Sequence, residues 1–129
     1  MNNRELKFRV WDTKSKNWNQ NDVVIRLNGR IVEVSYGELM GEETGCILQQ
    51  YTGLKDKNGR EIYEGDIIKD LDEENLIIEF QNGSFIANGK TIIPFWSMLV
   101  KNELVHPAMV NSQTFEVVGN VFENPELLK

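Results

Sequence analysis

Residues 50–67 read Gln50-Tyr51-Thr52-Gly53-Leu54-Lys55-Asp56-Lys57-Asn58-Gly59-Arg60-Glu61-Ile62-Tyr63-Glu64-Gly65-Asp66-Ile67. The stretch is dense in turn formers and charge, and it ends where an apolar run begins. Tyr51-Thr52-Gly53-Leu54 reads as a strand end that turns at Gly53. Lys55 to Arg60 reads as a solvated loop around a positive-φ Gly59, because Asn-Gly adopts left-handed conformations at little cost. Ile62 and Tyr63 anchor the return, and Gly65-Asp66 opens a buried strand at Ile67-Ile68. The block is a corner that steers strands.

Working outward, Asn-Gly recurs at Asn28-Gly29, Asn82-Gly83 and Asn88-Gly89. The flanks there are β-branched and aromatic: Val24–Leu27 and Ile31–Val34, then Leu76–Phe80, Ser84–Ala87 and Thr91–Phe95. The later three runs form a strand–turn–strand–turn–strand meander. At the N-terminus, Phe8 and Val10 share one strand face while Lys7, Arg9 and Trp11 share the other. Asp12 to Asn17 is a polar turn, and Trp18 begins the return. Ser35 to Met40 has room for one short helical turn, limited by Gly37 and Gly41. Pro94 argues for an edge strand, and His106-Pro107 breaks any helix at that point. A last strand runs from Phe115 to Phe122, where Gly119 marks a bulge or a close backbone approach.

The expected fold is mainly β, built from short antiparallel strands, with a small SH3-like barrel or a compact sheet in the second half. Residues 1–129 read as a single domain. The seam at Gly41–Gly45 would divide an N-terminal lobe, 1–45, from an SH3-like lobe, 46–129, if there are two. A chain of 129 residues buries a core without covalent staples. The one cysteine, Cys46, forbids an intramolecular disulfide. It lies in the apolar run Cys46-Ile47-Leu48, which suits a buried structural thiol. The first residues lack an apolar signal region, and no run approaches membrane-spanning length, so the expected location is the cytoplasm, with no membrane partner.

His106 is the only histidine, and no ligand spacing joins it to Cys46 for a metal site. No Ser-centred elbow, Walker loop or dinucleotide fingerprint occurs. Glu64, Asp66 and Asp70 could in principle serve a divalent-metal hydrolase, but Glu64-Gly65-Asp66 reads more simply as turn chemistry. Asp70, Asp72, Glu73 and Glu74 form an acidic knot without the glycine and terminal glutamate of an EF-hand. No catalytic residue, cofactor or metal ligand is therefore assigned. The net charge of −6 works against polyanion binding overall. The basic start, with Lys7, Arg9, Trp11, Lys14 and Lys16, is nevertheless a candidate nucleic-acid surface, since aromatics stack on bases while cations meet phosphates.

Three blocks resemble the YopX family. They are Lys7-Phe8-Arg9-Val10-Trp11-Asp12, then Gln49 to Ile67, then Val117-Val118-Gly119-Asn120-Val121-Phe122-Glu123-Asn124-Pro125-Glu126-Leu127-Leu128. The resemblance implies a β-rich protein encoded by a phage or prophage and working in the bacterial host cell. It carries no catalytic set onto these positions. The expectation is therefore a non-enzymatic accessory protein that binds a protein partner or assembles with itself. Its candidate contact residues are Tyr51, Lys55, Asp56, Lys57, Arg60 and Tyr63. The apolar tail at Leu127-Leu128 suggests a homo-oligomer.

Overall fold

The computed structural model describes residues 5–19, 23–35, 38–42, 45–70, 73–89, 92–94 and 115–129. The chain is mainly β and antiparallel, and it clusters into two compact units that divide between Gln49 and Gln50. The smaller is Lys7–Gln49; the larger is Met1–Leu6 with Gln50–Lys129.

In the smaller unit, β1 (Phe8–Asp12) and β2 (Asn17–Trp18) form the expected hairpin, with Trp11 opposite Trp18. Next, β3 (Val23–Ile25), β4 (Ile31–Ser35) and β5 (Glu38–Glu42) make a three-stranded sheet in that order. Val24 pairs with Val32 across the Asn28-Gly29 turn. Where a helical turn is expected over Ser35 to Met40, the described residues are strand: Val34 pairs with Leu39 and Ser35 with Glu38, while residues 36–37 lie outside the described residues. A lone helical turn fixes several residues for one hydrogen bond, whereas a third strand extends a ladder already nucleated.

The long strand β6 (Cys46–Lys55) starts beside β1 and ends paired with β7 (Glu61–Tyr63). The larger unit continues with β8 (Asp66–Lys69), β9 (Asn75–Gln81), β10 (Ser84–Asn88), β11 (Ile92–Pro94) and β12 (Glu116–Asn120). These five form one sheet in the order β11-β10-β9-β8-β12. The meander is as read from the sequence. At its first turn Asn82 and Gly83 both hold positive φ, 51° and 81°, as a two-residue primed turn demands. Gly89 is glycine for another reason: a Cβ there would meet Leu76 Cδ2 and, at 2.7 Å, Glu74 Oε1. Among the described residues Pro94 lies on the outermost strand on that side, β11, the kind of position where a proline is tolerated in a sheet.

The core of this unit is Ile62, Ile68, Leu76, Ile78, Ala87, Phe115 and Val117, with Leu54 and Phe85 packed against it. Leu76 and Ile78 alternate with the half-buried Ile77 and Glu79, as a strand covered mainly on one face must. Each large apolar side chain buried here contributes about 2 kcal/mol. The last strand stops at Asn120, short of the expected Phe122. The Asn120 side-chain oxygen accepts the N–H groups of Phe122 and Glu123, at 3.0 and 2.9 Å, and folds the chain into a turn. Both readings of Gly119 hold: the register slips between Val117 and Gly119, and a Cβ at Gly119 would lie 2.6 Å from Asn124 Oδ1.

Candidate functional site

The corner block folds as the β6–β7 hairpin. The chain does not turn at Gly53, whose φ is 90°; β6 runs on to Lys55. Tyr51 pairs with Tyr63 and Lys55 with Glu61, so four steps along β6 oppose two along β7, and the two extra residues form a bulge. The Thr52 hydroxyl fastens it, donating to the Ile62 carbonyl at 2.7 Å and accepting from the Leu54 N–H at 3.2 Å.

Asp56 is the centre of the tip. Its residue is only 1% exposed, in a segment that reads as fully solvated. Oδ1 accepts the N–H groups of Asn58 and Arg60 at 2.9 and 2.8 Å. Oδ2 accepts the N–H of Val117, on β12, at 2.9 Å. The backbone adds Asp56 N–H to Arg60 O at 2.8 Å, Gly59 N–H to Asp56 O at 3.0 Å and Lys57 N–H to Phe115 O at 2.9 Å. A carboxylate with hydrogen bonds at both oxygens compensates its own burial.

The candidate contact residues therefore separate. Tyr51 and Asp56 are buried, and Tyr63 is half-buried with its ring 5.5 Å from that of Tyr51. Lys55, Lys57 and Arg60 remain exposed. Lys57 Nζ lies 3.5 Å from Glu116 Oε2, a half-exposed pair worth little by itself. Among the described residues, Lys55 and Arg60 have no ion-pair partner.

The basic start behaves differently. Val10 and Trp11 are both buried despite their opposite parity, and Phe8 is exposed. Trp11 packs edge-on against Trp18, ring centres 5.0 Å apart. The Arg9 guanidinium lies 4.3 Å from the Trp18 ring centre, and its Nε–H donates to Gln49 Oε1 at 2.9 Å. Trp11 is thus a packing residue with no open face for a base. Lys7 is half-buried, while Lys14 and Lys16 are exposed on the turn. Asp12 organises that turn. N–H groups of Lys14 and Ser15 donate to its Oδ1 at 2.8 and 3.3 Å, and these bonds hold its carboxyl below the usual carboxylate range, the Lys14 bond foremost.

The carboxylates that a hydrolase could recruit each accept a backbone N–H, two of them within turns. Glu64 Oε1 accepts from Gln50 N–H at 3.4 Å, buried Asp66 from Tyr63 N–H at 2.7 Å, and Asp70 from Glu74 N–H at 2.9 Å. Among the described residues no three His, Cys, Asp or Glu side chains gather as a metal site. Cys46 is half-buried at the start of β6 rather than enclosed, and His106 and Asp72 lie outside the described residues. The tail forms a 3-10 helix, Pro125–Leu128. Asn75 Nδ2 donates to the Leu127 carbonyl at 2.9 Å, Leu127 is half-buried, and Leu128 stays 45% exposed. Beside it a cavity of about 610 Å³ is lined by Glu73, Glu74, Asn88, Leu127 and Leu128 among others. No helix of the described residues is long and apolar enough to cross a membrane.

What emerges is a mainly-β chain whose sequence motifs are architectural: an aspartate-anchored hairpin, a bulged strand and a side-chain-closed turn. The family model for YopX protein matches residues 7–129, and the chain belongs to that family. No curated protein sequence matches it. Among solved structures it is similar to the crystal structure of protein EF1440 from Enterococcus faecalis. The identity is 26%, 98% of this chain and 100% of that one are covered, and the TM-score is 0.60. It shares its fold with the X-ray structure of protein yopX from Bacillus subtilis, at 21% identity, 95% and 97% coverage and a TM-score of 0.55.

Sequence reasoning missed the role of Asp56. The signal was present: an aspartate two residues before Asn-Gly is placed to accept turn N–H groups. The tie to Val117 has no local signature.

Proposed function

We propose that this YopX-family chain is a phage- or prophage-encoded accessory protein of the bacterial cytoplasm that works by binding a protein partner, without catalysis. The contact surface is the β6–β7 tip. One observation carries the reading: the buried Asp56 carboxylate holds the tip by three N–H groups, so that Lys55, Lys57 and Arg60 project from a pre-ordered loop. A fixed loop loses less conformational entropy on binding than a free one, and cations on an otherwise acidic protein favour a partner with an acidic patch. The carboxylates considered for hydrolysis are engaged with backbone amides, which favours binding over chemistry.

The test is K55A/R60A in a pull-down from phage-infected or prophage-induced cells. Circular dichroism is expected to match the unmutated chain, and at least one captured protein is expected to disappear. An unchanged set of captured proteins would overturn the reading and leave the tip as architecture alone.

A further inference from the structure

Asn-Gly occurs four times in this chain, and the pair carries a chemistry of its own. The glycine amide nitrogen can reach the asparagine Cγ, and no Cβ on the glycine hinders the approach. Three of the pairs are exposed alike: Asn28-Gly29, Asn58-Gly59 and Asn82-Gly83. They differ in how the reacting atoms are held. Gly29 N–H donates to Arg26 O at 2.8 Å, and Asn28 Oδ1 accepts from Arg30 N–H at 3.0 Å. Gly59 N–H donates to Asp56 O at 3.0 Å, inside the loop that the buried Asp56 carboxylate fixes. Asn88 is half-buried, and its carboxamide donates to Glu79 Oε2 at 3.3 Å. At Asn82-Gly83 neither the carboxamide nor the Gly83 N–H has a hydrogen-bond partner among the described residues. The two-residue turn there, between paired Gln81 and Ser84, leaves both groups in water.

We propose that Asn82 is a site of spontaneous covalent modification, deamidation through a cyclic imide, and that the fold protects the other three asparagines. The Gly83 amide nitrogen gives up its proton to solvent base and attacks Asn82 Cγ. The N–Cγ bond forms, the Cγ–Nδ2 bond breaks, and Nδ2 takes a proton from water and leaves as ammonia. Water then adds to one of the two imide carbonyls. Opening at Cγ gives aspartate. Opening at the main-chain carbonyl gives isoaspartate, with the backbone routed through the side chain. Asparagine and water become a carboxylate and ammonium, and nothing is oxidised or reduced. Either product adds a negative charge at the tip of the β9–β10 hairpin. Isoaspartate also lengthens a turn whose residue count sets the pairing of Phe80 with Phe85 and of Ile78 with Ala87. At Gly29 and Gly59 the same attack must first open a backbone hydrogen bond, which slows it about ten-fold. Asn82 reacts whether or not the cations of the β6–β7 tip meet a partner.

The test incubates the folded full chain at mildly alkaline pH and follows all four asparagines by peptide mass spectrometry. The same chain unfolded in concentrated urea runs alongside. In the folded chain Asn82 is expected to convert about ten-fold faster than Asn28 or Asn58. In urea, where those hydrogen bonds are gone, the rates are expected to converge. N82G keeps a residue suited to the positive φ and removes the carboxamide. Ion exchange is expected to show an acidic form growing with time in the unmutated chain and nearly absent in N82G. Should N82G fail to fold, peptide mapping of the unmutated chain decides. A folded chain in which Asn82 stays unreacted, or in which Asn28 or Asn58 converts as fast, would overturn the proposal. So would a lead of Asn82 that persists undiminished in urea, or an acidic form that builds at the original rate in folded N82G.

Discussion

Two aspartates open turns of nearly the same chemistry, and they could hardly be placed more differently. Asp12 accepts N–H groups from Lys14 and Ser15, its neighbours along the chain, on an exposed turn of the smaller unit. Asp56 accepts N–H groups from Asn58 and Arg60 in the same manner, and then turns its second oxygen to Val117, 61 residues away. The first carboxylate shapes a loop in water, where the competing hydrogen bonds are to solvent. The second is enclosed, so each of its bonds replaces one that water can no longer supply. The same side chain is an ornament of a turn in one place and a tie between distant strands in the other. Burial and the reach of the second oxygen to a distant strand separate them.

That difference is open to direct attack. Replacing Asp56 by Ala leaves the Val117 N–H buried without an acceptor and strips two turn amides. Urea denaturation of D56A is expected to show a loss of about 3 kcal/mol, since an unmet buried donor costs roughly 1–3 kcal/mol and the turn bonds add to it. D56N keeps one acceptor oxygen and is expected to lose about half as much. If D56A unfolds at the same urea concentration as the unmutated chain, the contrast between the two aspartates collapses.

A second, smaller effect probes the other end of the strand that Asp56 holds. A Cβ at Gly119 would lie 2.6 to 2.9 Å from Asn124 Oδ1, Cγ and Cβ, so G119A must push that side chain away and with it the bond to Asn120 N–H. Overpacking of this kind costs about 1–3 kcal/mol. G119A is expected at the low end, because Asn124 is only half-buried and has room to move. G119A/N124G should recover part of the loss. If G119A proves costlier than D56A, the bulge rather than the carboxylate is what fixes β12.

Local signals were legible in the sequence. The Asn82-Gly83 turn, the meander around it, the placement of Pro94 on the outermost described strand and the corner at Gly65-Asp66 follow from φ preferences and alternation, which act over a few residues. The hairpin at Asp12 was legible for the same reason. Three features were not. Strand β5 forms where Gly37 and Gly41 obscure its pattern, because pairing with β4 outweighs weak local preference. Gly53 reads as a turn and is a bulge, because β7 holds the strand in register on both sides of it. Asp56 sits among Lys55, Lys57, Asn58 and Arg60, all exposed, and nothing nearby in sequence announces Val117 as its partner. The candidate surface inherited that blindness, so three of its six residues point outward, while Tyr51, Asp56 and Tyr63 support them from within.

The smallest effect belongs to Asp12, and its sign is fixed by its surroundings. Hydrogen bonds from Lys14 N–H, then from Ser15 N–H, favour the ionised carboxyl and lower its pKa below the ordinary 3.8. A carboxyl depressed in the folded state contributes stability that is present above the unfolded value and lost as pH falls through the folded one. The Asp12 side chain followed by NMR is therefore expected to titrate at a lower pH than an aspartate in an unstructured peptide. The Lys14 and Ser15 amide signals should shift with the same midpoint. Because this carboxyl is open to solvent, screening by water and salt keeps the consequence local. D12A is expected to abolish those amide shifts and leave the urea midpoint unchanged. A global loss in D12A approaching that of D56A would mean that exposure does not distinguish the two turns, and that the β1–β2 hairpin carries a structural duty its hydrogen bonds do not display.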